Sequence, residues 1–96
     1  MHLTLRQLKI FEAVARHLSF SRAADELHLT QPAVSMQVRS LEEAAGLPLT
    51  EQVGKKIFLT EAGVELARHA RVVAQQLREA EEALDAMKGL RGGLLN

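Results

Sequence analysis

Apolar positions recur along this chain at helical spacing, break for a short stretch, and then recur in a longer rhythm. Leu5, Leu8, Phe11, Ala15 and Leu18 predict a first helix from Leu5 to about His17 with one face turned inward. Thr4 and Gln7 make a Thr-x-x-Gln capping box at its start, in which each residue's side chain satisfies the other's backbone N–H. Ala23, Ala24 and Leu27 mark the apolar edge of a second helix of about two turns. Ser19 or Ser21 caps it, and its paired alanines let another helix approach closely. Val34, Val38, Leu41 and Ala45 form one stripe of a third helix. Thr30 is its N-cap, because the hydroxyl accepts from an otherwise orphan first-turn N–H. Pro32 follows in the first turn, where a missing N–H costs nothing. Gly46 ends the helix as a C′ glycine, and Pro48 confirms the stop.

From Leu47 to Thr60 the rhythm changes. Two short runs, Leu49–Val53 and Lys56–Leu59, flank Gly54-Lys55, the pattern of a two-stranded hairpin. Thr60 then caps a last helix from Glu61 to about Lys88, with Glu61 favourable at the positive end of the helix dipole. At about 1.5 Å per residue this helix spans roughly 40 Å, too long for so small a domain to cover. Leu66, Ala70, Val73, Leu77, Ala80, Leu84 and Met87 alternate at spacings of 4 and 3, a heptad stripe that predicts a dimer seam. An amphipathic helix packed on its own domain is the competing reading. Gly89, Gly92 and Gly93 predict a hinge, with a further domain beyond it. The expected organisation is a domain over 1–60, a dimerisation helix over 61–88 and a hinge over 89–96.

The second and third helices carry the chemistry. At about 100° per residue, Pro32, Met36, Arg39 and Glu43 fall opposite the buried stripe, flanked by Ser35 and Ser40. Two short helices with a tight connection, the second presenting a small, polar, mildly basic face, have the build of a helix-turn-helix reader of DNA. An ordinary αα-hairpin shares the apolar spacing; the Thr30-Gln31-Pro32 start and the sparse outer face favour DNA reading. After such a unit, a Gly54-Lys55 tip reads as a wing that presents charge to a phosphate backbone or a minor groove. The fold class is therefore mainly α, a winged helix-turn-helix with a two-stranded wing and a long C-terminal linker helix.

Composition narrows the alternatives. Ninety-six residues with 47% hydrophobic content make one domain with a small core. There is no cysteine, which excludes disulfides and thiolate metal sites. No apolar run approaches membrane-spanning length and no secretory leader is present, so a cytoplasmic setting and no membrane partner are expected. His2, His17, His28 and His69 show no metal-ligand spacing, and no nucleophile motif or phosphate-cradling glycine loop appears. The chain therefore reads as neither an enzyme nor a metal protein, and no cofactor is expected in it. Net charge is zero, with a balance of +1 over residues 1–60 and −1 over residues 61–96. So modest a basic footprint implies a dimer and a few well-placed phosphate contacts. A winged-helix protein-interaction module using the long helix is the non-DNA alternative; loss of duplex binding with rising salt separates the two.

Several ordered motifs carry a resemblance. They are Leu5-Arg6-Gln7-Leu8-x-x-Phe11, Ser19-Phe20-Ser21-Arg22-Ala23-Ala24, Leu27-x-Leu29-Thr30-Gln31-Pro32-Ala33-Val34-Ser35, Leu41-Glu42, Gly46-Leu47-Pro48-Leu49 and Leu59-Thr60-Glu61-Ala62-Gly63. Together they resemble the LysR-type transcriptional regulators from residue 3 to about residue 90. Within that family, Arg16-His17-Leu18-Ser19-Phe20, Val34-Ser35-Met36-Gln37 and Gly54-Lys55-Lys56 are similar to regulators of the Calvin-cycle (RuBisCO) operon. A molybdate-type regulator sharing the N-terminal module is a further alternative. The resemblance implies sequence-specific binding of double-stranded DNA at an interrupted palindrome, the third helix lying in the major groove. It also implies a homodimer through an antiparallel linker helix, a tetramer at full length, and a small-molecule effector bound by a C-terminal domain absent from this chain. Carried over residue by residue, the DNA contacts fall on Ser21, Arg22, Thr30, Gln31, Pro32, Ser35, Met36, Arg39, Lys55 and Lys56. Two departures stand out. Met36 replaces a frequent Arg or Lys, exchanging a guanine contact for an apolar one suited to a thymine methyl. Thr50 replaces the usual Phe, which predicts a cavity or a looser wing.

Overall fold

Local capping chemistry fixes where the helices begin. In α1 (Leu5–His17) the Gln7 N–H donates to Thr4 Oγ1 at 3.1 Å and the Thr4 N–H donates to Gln7 Oε1 at 3.0 Å. Ser19 caps α2 (Phe20–Leu27), accepting the Arg22 N–H, so Ser21 lies inside the first turn. Thr30 caps α3 (Gln31–Ala45) by accepting the Ala33 N–H at 3.2 Å. The wing follows as β1 (Thr50–Val53) and β2 (Lys56–Leu59), and α4 (Glu61–Leu95) completes the chain. This computed structural model describes the backbone of residues 1–95 and the side-chain surroundings of residues 1–89.

The core lies where α1, α2 and α3 meet beneath the wing root. It is built from Ile10, Phe11, Ala13 and Val14 of α1, Ala23 and Ala24 of α2, Val34, Val38 and Leu41 of α3, and Leu49. Burying a side chain the size of Val, Leu or Phe contributes about 1.5–3 kcal/mol, so the larger members hold the three helices together. The inward face of α1 is wider than the expected one. Phe11 is buried, Ala15 packs on the core and Leu8 is half-buried, joined by Ile10, Ala13 and Val14, while Leu5 and Leu18 are exposed at the helix ends. The cause is tertiary: α1 packs against α2, α3 and α4 at once, which buries a wide middle and leaves both ends uncovered.

The wing is pinned at its root rather than by an aromatic side chain. Leu49 is buried, Ile57 and Leu59 pack against the core, and Thr50 is half-buried. Thr60 donates its hydroxyl to the Pro48 carbonyl at 2.6 Å, and its backbone N–H donates to the Leu49 carbonyl at 3.1 Å. These polar ties join the root of the wing to the start of α4.

α4 continues past Lys88 to Leu95, through Gly89, Gly92 and Gly93. The expected hinge is thus helical backbone; Asn96 lies outside the described residues. A glycine costs a helix interior only about 1 kcal/mol relative to alanine, and Leu90, Arg91, Leu94 and Leu95 around these glycines are good helix formers.

Candidate nucleic-acid interface

The turn into α3 is made by two residues. His28 adopts a left-handed conformation, φ 57°, a region in which histidine is enriched among non-glycine residues. The Leu29 N–H then donates to the Ala24 carbonyl at 2.9 Å, and Leu29 packs on the core. This closes α2 and starts α3 within three residues. With Val34, Val38 and Leu41 buried, the opposite face of α3 is turned out. Gln31, Pro32 and Arg39 are exposed, Ser35 is half-buried, and Met36 is 70% exposed. A methionine so open contributes nothing to the core and presents an apolar contact outward. The Thr30 hydroxyl uses a lone pair on its cap and keeps its O–H free to donate.

The wing stands beside that face. Its register pairs Thr50 with Leu59, Glu51 with Phe58, Gln52 with Ile57 and Val53 with Lys56. The two-residue tip needs a positive φ at its first position, which Gly54 supplies at 63°. Strand alternation sorts the side chains. Ile57 and Leu59 face the core, so their partners Gln52 and Thr50 share the inner face, while Lys56 and Phe58 lie on the outer one. A groove of about 570 Å³ separates the wing from the start of α2 and the first residue of α3. Ser21, Gln31, Lys55 and Lys56 all line it, joined by Gln52 and Phe58. Four of the sequence-derived contacts therefore converge there. Arg22, Thr30, Pro32, Ser35, Met36 and Arg39 lie outside the groove, on the surfaces of α2 and α3. Gln52 went unnoticed in the sequence, although period-2 counting from the Gly54-Lys55 tip sets it beside Ile57.

Charge is distributed to suit a polyanion. Among the described residues the ion pairs gather elsewhere. Arg16 pairs with Glu12 at 2.8 Å and with Glu26 at 2.6 Å, His17 meets Glu26 at 2.7 Å, and Arg68 and His69 meet Glu65. Arg22, Arg39, Lys55 and Lys56 carry no carboxylate partner among the described residues. These four cations are thus left available, in a chain whose net charge is zero. The Arg16 guanidinium, and after it the His17 ring, hold the Glu26 carboxyl down at about 2.

Residues 5–64 match the bacterial regulatory helix-turn-helix proteins of the lysR family. The chain belongs to the LysR family. Among solved LysR-family structures, it is similar to a BenM_DBD complex with catB site 1 DNA, at a TM-score of 0.80 and 29% identity over 88% of this chain and 96% of that one. A CbnR_DBD–DNA complex matches at a TM-score of 0.75 and 33% identity, over 88% of this chain and 97% of that one. Among curated LysR-family relatives, the RuBisCO operon transcriptional regulator of Allochromatium vinosum is 59% identical over 95 residues, 99% of this chain and 32% of the relative. The HTH-type transcriptional regulator CbbR of Rhodospirillum rubrum is 56% identical over 91 residues, 95% of this chain and 30% of the relative. The chain thus spans about a third of the length of these relatives.

The heptad stripe of this LysR-family helix divides in two. Leu66 packs on the chain's own core, and Ala70, 1% exposed, is buried where α4 meets α1. Val73 and Leu77 are half-buried. Ala80 is exposed, and Leu84 and Met87 are 66% and 63% exposed. Within the single chain, the stripe expected as a seam from Leu66 to Met87 is thus covered at its start and open toward its end. Ala70 is already covered within its own chain, because the same stripe that would meet a partner first docks on α1.

Proposed function

We propose that this chain is the sequence-specific, double-stranded DNA-binding part of a bacterial transcription regulator. The convergence of Ser21, Gln31, Lys55 and Lys56 on one groove, its two lysines free of carboxylate partners among the described residues, carries this reading. α3 enters the major groove with Gln31, Ser35 and Met36 toward base edges and Arg39 toward the backbone. Ser21, Arg22, Thr30 and Pro32 flank the phosphates, and the wing brings Lys55, Lys56 and Gln52 to the backbone or the adjacent minor groove. The DNA named in the BenM and CbnR complexes supports this partner. The relatives' names support a carbon dioxide fixation operon as the target.

Two copies bind an interrupted palindrome through the free half of α4, the portion from Val73 through Leu77, Ala80 and Leu84 to Met87. At full length the helix leads to a C-terminal domain that takes a small-molecule effector, and the assembly grows to a tetramer. The chain itself holds no catalytic group and works in the cytoplasm, where bacterial DNA lies. No helix among the described residues is long and apolar enough to cross a membrane. Selection of bound duplexes from a randomised pool, followed by titration against salt, tests the reading. A recovered two-fold motif with salt-sensitive affinity is the expected outcome; salt-insensitive or motif-free binding overturns it.

A further inference from the structure

A single carboxylate ties the wing to α3. Glu42 lies in the last turns of α3 and is half-buried, whereas its neighbour Glu43 is exposed. Glu42 Oε2 accepts the Leu49 N–H at 2.8 Å and the Thr50 N–H at 3.3 Å. An acidic side chain near a helix C-terminus is electrostatically unfavourable, since the terminal carbonyls already carry partial negative charge. Bonds from two N–H groups to an ionised acceptor offset that disadvantage. Both donors belong to the wing root, not to α3. The Thr60 bonds to Pro48 and Leu49 tie the same root to the start of α4. Among the described hydrogen bonds, Glu42 is the side chain that joins α3 to β1. Thr50, at the first wing position, supplies no aromatic anchor that would make this tie redundant.

We propose that Glu42 is a positioning residue for DNA binding. It sets the wing at a fixed offset from α3, so that Gln31 and Lys55 engage one duplex together. The inference rests on the DNA-binding reading above. Without the tie, the hairpin pivots about Leu49 and Thr60, and the lysines lose register with the phosphates. α3 still reads its bases.

The test measures how affinity depends on salt, for the whole chain on a duplex recovered by selection. Glu42→Gln keeps an acceptor oxygen, Glu42→Ala removes it, and Glu42→Asp withdraws it by one methylene. Each is measured alone and together with Lys55→Ala/Lys56→Ala. Each lost phosphate contact removes about 0.9 from the slope of log affinity against log salt. Glu42→Ala is expected to lose about one to two units of slope per subunit, as the lysine pair does. Adding the lysine replacements then takes away little more. Glu42→Gln stays near the parent, and base preference is unchanged in all variants. A role confined to stability overturns the proposal: it lowers the unfolding temperature while the lysines keep their full, additive share. If Glu42→Ala does not fold, Glu42→Asp is read in the same way, and additivity there overturns the proposal too. Parent binding that ignores salt would instead overturn the DNA reading, and this inference with it.

Discussion

A Cβ placed on Gly63 would run into the carbonyl oxygen of Leu49, with the carbonyl carbon only 3.0 Å away. That oxygen also accepts the Thr60 N–H, and the Gly63 N–H itself donates to Thr60 Oγ1 at 3.0 Å. The first turn of α4 and the root of the wing therefore meet backbone against backbone. Glycine is required here for space, not for an unusual dihedral.

Gly63→Ala accordingly tests the docking of α4. Helix propensity alone favours alanine by about 1 kcal/mol. Overpacking against atoms that cannot rotate aside costs about 1–3 kcal/mol, and this term wins. Urea unfolding should show a net loss of up to about 2 kcal/mol. A stabilised variant would mean that α4 does not seat on Leu49.

Glu26 ties α2 to the end of α1 through Arg16 and His17. Its carboxyl sits at about 2 in the folded chain against an ordinary 4.5. A depressed carboxylate adds stability above its unfolded value and loses it as pH falls through the folded one. The gap in unfolding midpoint between the parent and Glu26→Gln should therefore hold at neutral pH and close between about 4.5 and about 2. The side chain is 38% exposed, so solvent screening keeps the gap small and salt narrows it. A gap that is unchanged across this window would remove Glu26 from the account of acid stability.

The divided stripe on α4 separates assembly from folding. Leu84 is exposed in a single chain, so Leu84→Asp should yield a folded monomer whose melting midpoint no longer rises with protein concentration, because the charge is buried only in the dimer. Ala70→Asp should instead lower chain stability, by forcing a charge into the α1–α4 contact. Sedimentation and thermal melts of both variants decide this; a Leu84→Asp dimer would locate the partner surface elsewhere.

In the proposed reading, Lys55, at the wing tip, and Lys56, on its outer face, meet phosphates and do not read sequence. Replacing both with alanine should flatten the salt dependence by about one to two units of slope per subunit and weaken every duplex alike. Altered base preference at an unchanged slope would make them readers instead.

In the proposed reading, Gln31 and Met36 are the residues that set base preference. A glutamine at the start of α3 pairs with the N6 and N7 edge of adenine, worth about 1–3 kcal/mol of discrimination. Gln31→Ala should relax one half-site position and leave non-specific affinity nearly intact. Met36→Arg should raise overall affinity and its salt dependence, and move the preferred base from thymine toward guanine. Identical motifs from the parent and both variants would shift the reading to DNA shape or to the wing.

The caps, the third-helix stripe and the wing turn were legible residue by residue. Thr4 with Gln7, Thr30 with Ala33, and Gly54 at a two-residue tip each depend on groups within a few positions, so spacing alone specifies them. The outer face of α3 follows from the same periodicity, since whatever lies opposite Val34, Val38 and Leu41 must face out. Other features depended on elements distant in sequence. The inward face of α1 widened because three helices cover its middle. The seven-residue stripe on α4 is part covered and part open, and only the position of α1 accounts for the burial of Ala70. The glycines at 89, 92 and 93 suggested a hinge, whereas the backbone there is helical. Gln52 joined the groove through strand register, and Glu42 and Gly63 acquired their roles from the Leu49 backbone. The sequence determined local hydrogen bonds and periodic faces because these act over one or two turns. The tertiary structure decided which face each neighbour covers, because burial depends on what packs against it.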